Sequence, residues 1–127
     1  MRTGCYVAAV LLSVVIACGV VSGNVTSGIA DEYAAAAKEL ALLTQKQDWS
    51  GAMENISGTL QSWERTLEWL QMLVNHEDTD DVTMALRTLR AGIGAKDQVT
   101  CMVACEQLEE AARHIHHRDA FSWANIL

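Results

Sequence analysis

The chain has 127 residues, 50% of them hydrophobic and 20% charged, with eight Gly and no Pro. That length suits one domain of ~100–200 residues, the apolar content excludes a disordered chain, and the missing prolines favour long helices over loop-rich β designs. Sixteen acidic against nine basic residues give a net charge of −7, which argues against nucleic acid as a partner, since phosphate binding rests on cationic neutralisation.

Residues Cys5 to Val21 carry no charge, and only Arg2 and the α-amino group precede them. As a helix this stretch measures about 26 Å, just under the ~30 Å hydrocarbon core of a bilayer. Three readings compete. The first is a membrane-spanning helix that Ser22 to Val25 extend into the interface. The second is a secretory signal cut before Asn24, with Val21 and Gly23 at the small-residue positions. The third is a lipoprotein signal, Val15-Ile16-Ala17-Cys18, after which Cys18 is the lipidation site and the mature N-terminus. All three place the following residues outside the cytoplasm, because the flanking positive charge is on the short N-terminal side. A retained anchor, spanning or lipid, is preferred to a released product because the apolar run borders the spanning range of ~17–25 residues. The domain boundaries are therefore 1–23 for the anchor or signal segment and 24–127 for an extracytoplasmic domain. That domain holds eight basic and sixteen acidic residues, so it is expected to stand off anionic headgroups.

From Ile29 to Gln47 the chain is Ala-rich and helix-favouring. Ile29, Tyr33, Ala36, Leu40 and Leu43 form a heptad-type seam. A second helix carries one apolar stripe from Trp49 through Met53, Ile56, Leu60, Trp63, Leu67 and Leu70 to Val74, with Asp48 as N-cap. Trp69 and Leu73 lie beside the stripe and widen it. Gly51 and Gly58 weaken this helix and are candidate points of close helix approach. Asn75 to Asp81 form a polar turn in which Thr79 or Asp80 caps a third helix bearing Val82, Ala85, Leu86, Leu89 and Ile93. Gly92 and Gly94 are expected to end it. Asp97 caps a last helix with Cys101, Cys105, Leu108, Ala112 and Ile115 in register, and the apolar tail from Phe121 to Leu127 is expected to dock back. The fold class is all-α: an N-terminal membrane helix plus a small antiparallel bundle of about four helices. Gly23 and Gly28 are tolerated interruptions, so the first bundle helix can continue the membrane segment.

Leu60 to Asp81 (LQSWERTLEWLQMLVNHEDTDD) and the ending Asn125-Ile126-Leu127 carry a resemblance. With Trp49, Trp63, His76 and Glu77, they make the chain similar to a family of short, uncharacterised, membrane-anchored helical proteins from spore-forming Gram-positive bacteria. That family is catalogued as a domain of unknown function. The resemblance implies an anchor and a helical outer region and supplies no activity. Cys5, Cys18, Cys101, Cys105 and the His-rich stretch near the end depart from the family pattern.

Few residues suggest chemistry. Glu110 and His114 are four apart and His114 and His117 three apart, so either pair can share a helix face. With Cys101 and Cys105 they are the metal candidates, since imidazole, carboxylate and thiolate suit Zn, Ni or Cu. The plainer reading is a His/Arg-rich last turn favoured by the helix dipole, and two small cysteines filling a core stripe. His76 with Glu77, Asp78, Asp80 and Asp81 reads first as a helix start rather than a cation loop, which would need a Gly and a final Glu. Trp49 and Trp63 share the apolar stripe and are read as core. Trp69 lies off it and, with Glu68, is the candidate partner contact. Two Asn-x-Ser/Thr sequons, at Asn24 and Asn55, are read as incidental. No Ser elbow, phosphate loop or convergent carboxylate pair occurs.

The resulting expectation is a non-enzymatic protein without a cofactor, tethered to the cell membrane of a bacterial envelope. Its bundle would act as an interaction or structural module on another envelope protein or on a second copy. The alternative is a metal- or redox-responsive sensor built on His114, His117, Glu110, Cys101 and Cys105.

Overall fold

Nothing in the first 45 residues forces a helix to stop, since no proline occurs and Gly23 and Gly28 face open space. In the computed structural model, α1 accordingly runs unbroken over Arg2–Gln45, joining the apolar segment to the first bundle helix. Backbone is described for residues 2–126 and side chains for residues 2–116. The described residues add α2 (Trp49–Leu70), α3 (His76–Gly94) and α4 (Gln98–Ile126), with no strand among them. Short connections make neighbours antiparallel. Around the bundle α1 packs on α4, α4 on α3, α3 on α2, and α2 more lightly on α1.

The lengths decide the shape. At 1.5 Å per residue α1 measures about 66 Å, α2 about 33 Å and α3 about 28 Å. The surplus of α1 is its N-terminal part. Residues 2–18 are all exposed, whereas Ser22, Thr26, Ile29, Ala30, Tyr33, Ala37, Leu40 and Thr44 are buried. The inner stripe of α1 therefore differs from the heptad seam: Ala37 and Thr44 are buried, and Ala36 and Leu43 are only half-buried. Polar members are tolerated because their hydroxyls return to nearby carbonyls. Thr26 donates to Ser22 O at 3.0 Å and Thr44 to Ala41 O at 3.0 Å.

Trp63 is the centre of the core, with no exposed surface. Its ring meets Tyr33 of α1 edge-on at 5.0 Å, and its Nε1 donates to Thr83 Oγ1 of α3 at 2.8 Å. One side chain thus links three helices. The Tyr33 hydroxyl shares a hydrogen bond with Ser62 at 3.2 Å, and burial pushes its pKa up.

The two upper turns repeat one solution. After α1, Gln47 adopts φ 57°, and after α3, Lys96 adopts φ 54°. In each, the residue with positive φ donates to a carbonyl three back and the next donates five back: Gln47 to Thr44 and Asp48 to Leu43, then Lys96 to Ile93 and Asp97 to Gly92. This is the Schellman pattern with a non-glycine residue in the left-handed position. The Asp that follows then caps the next helix. Asp48 Oδ1 accepts from Gly51 N at 3.0 Å, and Asp97 Oδ1 from Thr100 N at 3.2 Å. Bonds from the Thr100 hydroxyl and amide hold the Asp97 carboxyl below its usual pKa.

Several local expectations are corrected. Gly92 lies within α3 and Gly94 is its last residue, but neither supplies the terminating conformation, which falls to Lys96. Gly92 is instead a close-approach point, since a Cβ there would sit 3.0 Å from Cys101 Sγ and 3.1 Å from Thr100 Cγ2 of α4. Gly58 faces open space, and Gly51 is crowded only by its own cap Asp48, so neither admits a neighbouring helix. Helix α2 stops at Leu70, short of Val74. The N-cap of α3 is Asn75 rather than Thr79 or Asp80, with its side chain accepting from Glu77 N at 3.4 Å.

Candidate functional site

The antiparallel register fixes what lies beside the lower end of α2. The short connection from Gln45 to Trp49 makes α1 and α2 antiparallel and Tyr33 meets Trp63, so from that level rising numbers in α2 pair with falling numbers in α1. Trp69 and Leu73 therefore come level with the place where the apolar segment enters the bundle. They form one side of a groove of about 500 Å³ whose other side is Ala17, Cys18, Val21, Ser22 and Val25. That volume lies within the ~300–1,000 Å³ of small-molecule sites, and its wall offers almost only carbon. Trp69 is 39% exposed, Leu73 47% and Met72 80%. They do not widen the core stripe as expected, but stand out at the end of the bundle next to the apolar segment.

Among the described residues the apolar segment carries the longest run of exposed large hydrophobic side chains. Tyr6, Val7, Val10, Leu11, Leu12, Val14, Val15, Ile16, Val20 and Val21 are all exposed, and no part of its most apolar 18-residue window is buried. A continuous apolar surface of this kind is one that a membrane or a protein partner can cover. By length and composition α1 is a candidate membrane span or signal sequence. Cys18 is exposed and borders the groove. Glu68, the neighbour of Trp69, is also exposed.

The residues considered for metal divide between two environments. Cys101 and Cys105 are free thiols buried in the core stripe of α4. Burial, and then the Asp97 charge, push the Cys101 pKa up. Burial, and then Cys101, push Cys105 up to about 11. Both are therefore protonated and poorly nucleophilic at neutral pH. Glu110 and His114 stand on the exposed side, with Oε1 and Nε2 4.0 Å apart. They are also two turns or so further along the helix from Cys105, roughly 14 Å from Cys105 to His114 along the axis. The side chain of His117 lies outside the described residues, as do those of Phe121, Trp123 and Asn125–Leu127. Among the described residues no group of three His, Cys, Asp or Glu is placed to hold a metal ion.

The acidic stretch after Asn75 does not form a loop. Its residues begin α3, and Glu77, Asp80 and Asp81 are exposed. Asp78 is the exception at 1% exposure, beside the fully buried Thr79. Sequence reading gave no hint of a buried carboxylate there, because four acidic residues in five positions look uniformly solvated. The groove was missed as well. Its α1 wall belongs to the anchor and its α2 wall to the bundle, and only the register of the two helices brings them together.

Neither a curated protein nor a solved structure matches the chain. The family described as Domain of unknown function (DUF4363) matches residues 20–126, from the end of the apolar segment through the whole bundle. With most of its length matched, the chain belongs to that family.

Proposed function

We propose that the protein is a non-enzymatic, membrane-tethered module of a bacterial cell envelope, with α1 retained as its anchor and the bundle held outside the cytoplasm. The observation that carries this reading is the continuity of α1. The wholly exposed part of α1, residues 2–18, measures about 26 Å, close to the ~30 Å of a bilayer's hydrocarbon core. The same helix then supplies Ser22, Thr26 and Ile29 to the interior. A cut before Asn24 would remove Ser22 and open the helix within its buried stripe. The single positive side chain Arg2, on the short side of the span, favours an inside N-terminus. Among the described residues of the sensor alternative, Cys101 and Cys105 are in the core and Glu110 and His114 on the surface, which favours the interaction role.

The test is intact-mass analysis and fractionation of the full chain after expression in a bacterium. The expected result is an uncut chain that stays with membranes through alkaline extraction, its bundle accessible to protease only from outside. A soluble product beginning at Asn24 would overturn the reading. The partner contact is tested separately by cross-linking in membranes. Glu68→Ala should reduce cross-linked species while helix content and melting temperature stay nearly unchanged, with Trp69, which faces the groove, left in place.

A further inference from the structure

We infer that the groove between α1 and the lower end of α2 holds an acyl chain of an outer-leaflet phospholipid, and that Trp69 lies in the membrane interface. This rests on the reading of α1 as a retained span. One wall of the groove, Ala17 to Val21, is the span's own outer end. The uncharged stretch from Cys5 to Val21 is about 26 Å long, and a hydrocarbon core of ~30 Å reaches one turn further, to the level of Val25. The facing wall, Trp69 and Leu73, is at that same level. The apolar surface of the span therefore continues without a break onto the bundle.

The chemistry of the end agrees with this depth. Trp69, Met72 and Leu73 are exposed together where α2 turns into α3, and Trp is enriched where protein crosses from hydrocarbon to headgroup. The groove wall is almost purely apolar, so it suits a hydrocarbon chain rather than a headgroup or a polar peptide. The exposed carboxylates of Glu68 and Glu77 flank this end, so zwitterionic lipid is favoured over anionic lipid there. The acidic domain as a whole does not stand clear of the bilayer, as net charge alone would suggest. It touches the bilayer at this one apolar corner.

The test uses the full chain in phosphatidylcholine vesicles, with and without lipid brominated on the acyl chain, and reads quenching of tryptophan fluorescence. Bromolipid should quench the full chain, and Trp69→Phe should remove at least half of the quenchable emission. Leu73→Trp in the Trp69→Phe background should restore quenching, while Met84→Trp, on an exposed part of α3, should not. Vesicle flotation and intact mass are read on the same samples. Protein that floats with the vesicles but whose quenching ignores position 69 overturns this proposal and leaves the anchor standing. Protein that fails to float overturns both. Quenching at position 69 that appears only on dilution of protein in lipid assigns the groove to a second copy and overturns the lipid. A mass beginning at an acylated Cys18 places the protein's own lipid there and also overturns it.

Discussion

Gly92 offers a quantitative check on how closely α3 and α4 pack. Alanine at an exposed helix-interior glycine gains up to ~1 kcal/mol of helix propensity. Gly58, which faces open space, should show that gain in full, so Gly58→Ala stabilises the chain by about 0.5–1 kcal/mol. Gly92→Ala has the same propensity term, but its new Cβ lies 3.0 Å from Cys101 Sγ, 3.1 Å from Thr100 Cγ2 and 3.4 Å from Cys101 N. The two side-chain contacts are tighter than ordinary packing and must each yield by a few tenths of an ångström, and overpacking of this kind costs about 1–3 kcal/mol. The propensity term cancels between the two variants. Their difference, about 1–3 kcal/mol with Gly92→Ala the less stable, is therefore the contact itself. Thermal melts of the full chain in mild detergent, followed by the near-ultraviolet circular dichroism of its aromatic side chains, should separate the two by several degrees. Cys101→Ala supplies the cycle: it removes the Sγ that the new methyl meets, so the double variant should recover about 0.5 kcal/mol or more over additivity. Equal stability of Gly58→Ala and Gly92→Ala would refute the close approach.

Three further outcomes follow from the same packing. Lys96→Gly should stabilise the chain by about 0.5–1 kcal/mol, because a side chain at φ 54° is strained; an unchanged or lower midpoint in denaturant would count against the turn described. Trp63→Phe should cost about 1–3 kcal/mol by leaving Thr83 without its indole donor and opening space in a filled core, whereas Trp69→Phe should shift the melt little. The buried thiols make stability pH-dependent at the alkaline end. Cys105 titrates from 9.0 unfolded to about 11 folded, so its contribution is complete below pH 9 and is lost as pH rises towards 11. Cys105→Ala should flatten that limb of a stability–pH profile, and in the folded protein both core thiols should alkylate far more slowly than in the unfolded chain.

The fold was legible wherever apolar residues alone mark a face. Leu60, Trp63 and Leu70 in α2, and Cys101, Cys105, Leu108 and Ala112 in α4, are buried as their spacing requires. In α1 the buried face includes Ser22, Thr26 and Thr44, so counting apolar residues finds a heptad seam where the helix has a different inner stripe. Ser22, Tyr33 and Thr44 stand eleven apart, and an eleven-residue repeat of 3.67 residues per turn keeps a stripe almost straight along a long helix. A straight stripe lets α4 follow α1 for much of its length. Helix ends were legible where one cap residue stands alone, as at Asp48 and Asp97. After Val74 several residues compete, since Asn75, Asp78, Thr79 and Asp80 can all cap. Packing decides among them: Asp78 and Thr79 are drawn inside as part of the first turns of α3, which places Asp80 within the helix and Asn75 at its cap. The groove was the least legible feature because it is a product of register. Trp69 stood out as a residue off the stripe, but what it faces depends on α1 continuing past the bundle as one helix. A break at Gly23 would have turned the span aside and left Trp69 on an open surface. The unbroken helix carries the anchor's apolar wall up to it instead.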